Sequence, residues 1–135
     1  MDILYSLHQY SDLGLLMLRL AVATIFLVHG LMKRRMWQPN PPMAGGMLQI
    51  MKFLAIVEPL AAVAIAVGLL TQIAALGCVM IMVGAIYLKM QVWKIPFRAD
   101  NNTGWEFDLV LLAACAVLFV SGAGVWALDY LIWSI

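Results

Sequence analysis

Hydrophobic residues run along this chain in four long blocks separated by short polar stretches. The first block extends from about Leu13 to Met32 and stops at Lys33-Arg34-Arg35, which lead into Pro39-Asn40-Pro41-Pro42. The second covers about Ile50 to Leu70, preceded by Gly45-Gly46 and carrying Lys52 near its start. The third follows a tight turn at Thr71-Gln72 and continues to Leu88, just before Lys89. The polar stretch from Lys94 to Trp105, with Pro96 and Asn101-Asn102, leads into the fourth block, about Phe107 to Leu128, which Asp129 ends. About 20 apolar residues, at 1.5 Å of helix rise each, cross a ~30 Å hydrocarbon core. Blocks of that length, each flanked by turn or charge signals, predict membrane-crossing helices. The expectation is an all-α membrane protein, a four-transmembrane-helix bundle forming one domain over residues 1–135, with spans at 13–32, 50–70, 72–88 and 107–128. A small interfacial helix over Met43 to Met51 is expected in the first loop.

Composition narrows the function classes. Hydrophobic residues make up 65% of the chain and charged ones only 11%, against about 25% charged in soluble domains. The connections between blocks are too short for a separate soluble catalytic domain, so any chemistry belongs to the bundle, a loop or a partner. The opening MDILYSLHQYSD has acids but no Lys or Arg. It lacks the basic region and cleavage site of a secretory signal, so the first block reads as a retained helix. Apart from Arg19, every Lys and Arg lies in or beside the first or third loop, while the other side carries Asp2, Asp12 and Asp129. The positive-inside rule then places both loops in the cytoplasm and both termini outside, for a multi-pass protein of the cell inner membrane. Trp126, Tyr130 and Trp133 fit an aromatic belt at the outer interface. The sequon Asn101-Asn102-Thr103 falls on the expected cytoplasmic side and reads as unmodified. Cys78 and Cys115 form no CxxC pair and read as buried apolar packers.

Ionisable residues inside a membrane are costly and default to functional candidates. Arg19 lies roughly 9 Å into the first block from the outer side, and Glu58 roughly 12 Å into the second from the other side. That geometry suits a buried Arg19–Glu58 pair between the first two helices. At 100° per residue, Arg19, Phe26, Gly30 and Lys33 share one face, flanked by His29. Pro59, next to Glu58, frees a carbonyl one turn back and bends the second helix. Glu106 and Asp108 open the fourth block on the side that holds His29, Lys33 and Lys89. Together these groups suit a polar headgroup, a quinone ring or a proton path. The plainer readings stand beside this one. Arg19–Glu58 reads equally as an ion pair fixing register, Glu106 and Asp108 as helix caps, His29 as a packed histidine, and Lys33 and Lys89 as snorkelling side chains. Met43, Met47 and Met51, spaced i, i+4, i+8, suit Cu(I), but thioethers also fill apolar gaps, and no metal site is expected.

These residues, taken in order, resemble the DoxX family of small four-helix membrane proteins over nearly the whole chain. The carriers are Arg19, Ile25-Phe26, His29-Gly30 and Lys33 in the first helix, and Glu58 with Gly68-Leu69-Leu70-Thr71 in the second. Trp105-Glu106 opens the fourth, and Gly122-Ala123-Gly124-Val125-Trp126-Ala127-Leu128-Asp129 closes it. Gln72 stands where a basic residue is usual and Ala127 where Ser is. Lys89 occupies a position that is often His, which weakens the carry-over of a metal or proton-transfer role to that spot. The resemblance implies quinone-linked redox chemistry, because name-giving relatives are membrane subunits of a thiosulfate:quinone oxidoreductase. The expected function is a membrane subunit that anchors a partner and helps form a quinone site from Arg19, Phe26, His29, Lys33, Glu58 and Glu106. It would act as part of an oxidoreductase rather than alone, since the sequence has no haem-type His pair, iron–sulfur Cys set or dinucleotide fingerprint. Quinone is the expected cofactor, none being covalently carried. The expected partners are the lipid bilayer and a protein subunit, or further copies of the chain, and not nucleic acid. The rivals are a purely structural accessory subunit and a small transporter or metal-handling protein.

Overall fold

A computed structural model describes residues 10–100 and 103–133. The expectations for Asp2 and the opening stretch, for Asn101-Asn102 and for the side chain of Trp133 lie outside the described residues. Everything regular within them is helical: α1 (Ser11–Lys33), α2 (Gly45–Val67), α3 (Thr71–Tyr87), α4 (Trp105–Ser121) and the short α5 (Leu128–Trp133). A 3₁₀ turn, Arg34–Trp37, extends α1, and a π-helical turn, Leu88–Val92, extends α3. With these extensions α1, α2 and α3 are each long and apolar enough to cross a membrane. The fourth helix has 17 residues, about 26 Å at 1.5 Å per residue. It ends at Ser121, before the Leu128 to which the apolar run extends. No separate interfacial helix covers Met43 to Met51, because α2 runs unbroken from Gly45 through Pro59.

The distribution of side chains is that of a lipid-facing bundle. Leu60, Ile73, Val110 and Val120 are exposed, while Arg19, Glu58, Thr71 and Asp108 are buried. The apolar centre, including Val22, Phe26, Ile65, Cys78, Cys115 and Leu118, is narrow. In water such a surface would aggregate; in lipid it is matched to its solvent, and only polar groups must turn inward. Cys78 and Cys115 are free thiols in that centre. Helix α1 lies against α2 most extensively, α3 against α4, and the seam between α2 and α3 is much looser.

One end of the bundle is closed by a clasp built on Arg19. The expected Arg19–Glu58 pair does not form. The guanidinium instead donates to four backbone carbonyls: Ile65 (3.0 Å), Ala66 (2.9 Å), Ala123 (2.7 Å) and Trp126 (2.9 Å). The first two belong to the C-terminal turn of α2, where unpaired carbonyls and the negative end of the helix dipole attract a cation. Arginine, with five donors in a planar fork, can serve two chain segments at once. Depth alone favours Glu58 as partner, but the helix-end carbonyls lie at the level of Arg19 itself.

Glycines make the clasp close. Gly68, at φ +73°, ends α2 with Leu69 N–H donating to Ala64 O (2.9 Å) and Gly68 N–H to Ile65 O (3.2 Å). This is the left-handed six-to-one cap that glycine accommodates best. A Cβ there would also lie 2.5 Å from Ala127 Cβ and 2.9 Å from Arg19 Nη2. The strap from Gly122 to Asp129 therefore lies directly on the α2–α3 turn, and Asp129 N–H donates to Gly68 O at 2.7 Å. The Asp129 carboxylate accepts from Leu70 N–H (2.7 Å) and Thr71 N–H (2.8 Å), capping α3. Asp12 Oδ1 accepts from Val125 N–H at 3.1 Å and ties the strap to α1.

Partial burial pushes the Asp129 carboxyl up, but the Thr71 and Leu70 N–H donors and the charge of Arg19 outweigh it and hold it below the usual carboxylate range. A depressed folded value contributes stability above the unfolded pKa, and that stability is lost as pH falls through the folded one. Asp129→Asn should therefore lower thermal stability at pH 7 by about 1 kcal/mol, a normal cap loss. The deficit should shrink as the wild type is titrated into acid, as detergent melting curves would register. Arg19→Leu strands four carbonyls at roughly 1–3 kcal/mol each, so loss of a cooperative melt is expected. A melt within a few degrees of wild type would contradict the clasp.

Candidate functional site

The opposite end of the bundle is open and holds the other buried charges. Gly30 on α1 faces Pro59 on α2 so closely that a Cβ would overlap the proline ring. That approach brings the end of α1 to the middle of α2, where Lys33 Nζ reaches both Glu58 carboxylate oxygens at 2.5 Å. Glu58 is 1% exposed, while the Lys33 side chain is 22% exposed. Lysine's long stem thus carries its head from the rim down to a buried acid.

A second pair lies across α3 and α4. The π-helical turn after Tyr87, marked by Trp93 N–H donating to Leu88 O at 2.9 Å, carries Lys89. Its Nζ is 2.6 Å from Asp108 Oδ2 and donates to Thr103 O (3.1 Å) and Gly104 O (3.4 Å). Lys89 therefore pins the start of α4 as well as pairing with its acid. Single π turns inside helices occur frequently at functional sites. Phe97 and Trp105 meet edge to face at 4.5 Å and brace the connecting loop.

Between the two ion pairs is a cavity of about 390 Å³, within the usual size range of small-molecule sites. His29, Lys33, Glu58, Lys89 and Asp108 supply its charged or titratable wall. The rest is mainly Ile, Leu, Met and Trp93, from α2, α3 and the loops. His29 stacks on Phe107 of α4 with ring centroids 6.0 Å apart and 18° between planes. Both charge pairs are internally neutralised, and the His29 imidazole adds a wall group that can donate or accept a hydrogen bond.

Of the six residues singled out for a site, His29, Lys33 and Glu58 line this cavity. Arg19 belongs to the clasp at the other end, and Phe26 is buried in the apolar centre. Glu106 does not line it either, and its backbone N–H donates to Phe97 O at 3.1 Å. Two positions on a helix are about 200° apart, so only one of Glu106 and Asp108 can face inward. Asp108 shares its face with the buried Leu111, Cys115 and Leu118. Because α4 is apolar all round, its residue pattern has no phase with which to choose between them. Met43 and Met51 line the cavity, but Met47 does not; Met80 and Met82 do. Among the described residues no group of three or more His, Cys, Asp and Glu is placed to hold a metal ion.

An all-helical membrane protein with one end clasped by a buried arginine and the other opened around paired charges is the class defined here. The model of the DoxX family matches residues 14–90, from α1 into the π-helical turn. The chain belongs to that family. No curated protein and no solved structure matches it. The matched segment contains Arg19, His29, Lys33, Glu58 and Lys89, whereas Asp108 lies beyond it.

The Lys33–Glu58 pair can be tested as a pair. Lys33→Met leaves a buried, uncompensated carboxylate and should cost roughly 3–5 kcal/mol. Lys33→Met combined with Glu58→Leu should recover most of that loss. Additive losses in a double-mutant cycle of thermal melts would show that the two side chains do not interact.

Proposed function

We propose that this chain is a multi-pass subunit of the cell inner membrane, a four-transmembrane-helix bundle with both termini outside, that anchors a redox partner and binds quinone in the open cavity. The cavity end carries Arg34, Arg35, Lys52, Lys94 and Arg98 around its rim, and Lys52 rests over the Trp37 ring at 5.3 Å. Among the described residues the charges at the clasp end are Asp12 and Asp129 beside the buried Arg19. The positive-inside rule puts the cavity end in the cytoplasm on that asymmetry.

The observation that carries the quinone reading is the character of the cavity wall: mostly apolar, its charges cancelled in pairs, with His29 among them. Such a wall disfavours a charged occupant and suits a neutral ring with oxygen acceptors. A quinone supplies two-electron, two-proton chemistry, with electrons delivered by the partner subunit. This chain's residues would do the rest. His29 holds a proton at its imidazole opposite a ring oxygen. Lys33 and Lys89, each partly exposed at the rim, link cytoplasmic water to the buried carboxylates of Glu58 and Asp108. The Met and Leu wall excludes bulk water. The alternative is an accessory subunit that only stabilises a larger assembly. The bare α3 glycines Gly77 and Gly84 favour it: a Cβ at either would meet nothing within 4 Å, which suits close helix contact.

The test is purification in mild detergent, identification of co-purifying subunits by mass spectrometry, and quinone turnover by the intact complex. His29→Phe preserves the stack on Phe107 and removes one polar contact, so KM for quinone should rise about tenfold. Unchanged turnover with unchanged KM removes His29 from the site. A complex that loses assembly while its remnant keeps specific activity supports the accessory reading.

A further inference from the structure

The cavity is open on more than one side. His29, Lys33 and Asp108, from α1 and α4, form its polar side, where His29 is itself exposed. Toward α2 and α3 the lining includes apolar residues that also face outward: Ile50 is 48% exposed and Met80 68%. Gly84, one turn beyond Met80, lines the cavity and is exposed too, and a Cβ there would meet nothing within 4 Å. An apolar opening therefore lies at the loose seam between α2 and α3.

Its depth decides what it opens onto. Met80 stands nine positions after Thr71, where α3 begins, or about 14 Å along the helix. In a ~30 Å core that is mid-membrane, beyond the reach of bulk water. On the same face, Gly77, Met80 and Gly84 follow at three and four residues, leaving a shallow trough that continues from the cavity along α3.

We propose that the cavity is loaded sideways from the bilayer through the α2–α3 seam, and that it takes a lipid-soluble amphiphile whose head sits by His29 and whose tail leaves past Gly84 and lies over Gly77. The identity of the head rests on the quinone reading above; the lateral mouth does not. A tail in the trough packs beside Met80 over the bare glycines Gly77 and Gly84, and its burial adds affinity in proportion to apolar contact. A water-borne solute would instead have to pass the charged rim.

The experiment uses the full chain in lipid nanodiscs. Trp93 lines the cavity, and its emission is isolated as the difference between wild type and Trp93→Phe. The probes are decyl-tailed ubiquinone and the same ring without a tail. Gly77→Phe, which enters open space on the trough outside the cavity lining, should weaken saturable quenching by the tailed probe about tenfold or more. The tail-less ring should change by less than about threefold. Gly14→Leu, on exposed α1 at the clasp end, should change neither. Gly77→Leu substitutes where Gly77→Phe is not monodisperse. Equal weakening of both probes, or none, overturns the lateral mouth. If neither quinone quenches wild type saturably, the quinone reading falls and a mid-chain nitroxide phosphatidylcholine decides the mouth. Quenching of Trp93 that Gly77→Phe removes upholds it, and absence of quenching overturns it. A dimer that Gly77→Phe disperses without altering quenching would assign the trough to a second copy and also overturn the proposal.

Discussion

Arg19 cannot find water, and most of this architecture follows from that. A guanidinium held within an apolar bundle needs acceptors for its fork, and the only abundant ones are the carbonyls that helix ends leave unpaired. The end of α2 supplies two and the strap after α4 supplies two more. Satisfying this one side chain thus fixes where α2 stops, how α4 returns and where α5 begins. Gly68 is required because the strap crosses it closely, and Asp129 because the chain restarts as α3 beside it. The charge is solvated by backbone carbonyls, not by a paired side chain.

The other end solves the same problem differently. Glu58 and Asp108 are buried too, but are each met by a lysine that reaches in from the rim. Pairing cancels charge without using up space, and the helices there stay apart. Gly30 against Pro59 draws α1 to α2, and Lys89 draws α3 to the start of α4. Two tight helix pairs result, with a cavity in the seam between them. Removing water from that seam strengthens each ion pair, while the pairs keep the wall neutral toward a bound molecule. A rigid clasped end and a splayed charged end are a division of labour between holding the bundle and offering a site.

Much of this is legible in the chain itself. The three longest helices follow from apolar length and flanking charge, which also place a fourth from about Phe107, two residues after its observed start at Trp105. Gly68, Thr71 and Asp129 are visible as a resemblance, and their role as parts of one clasp becomes physical only in three dimensions. Arg19 reads as buried and important, but residue spacing assigns it the wrong partner, because depth along a helix identifies side-chain neighbours and ignores carbonyls at helix ends. His29, Lys33 and Glu58 read as one polar region, and they do share a cavity. Glu106 stands in for Asp108 in the sequence reading because an apolar α4 has no amphipathic phase. The π-helical turn that carries Lys89 leaves no signal in residue type.

The central claim is that ligand binding belongs to the charged, open end and stability to the clasp. The most direct measurement is photolabelling of the reconstituted chain with an azido-quinone, followed by peptide mapping of the labelled positions. Saturable label, competed by unmodified quinone, is expected on the segment from Met80 to Trp93 and on Met51 or Leu54. Competed label around Leu70 to Ile73 or on the strap from Gly122 to Asp129 would contradict the claim, as would label that no quinone displaces.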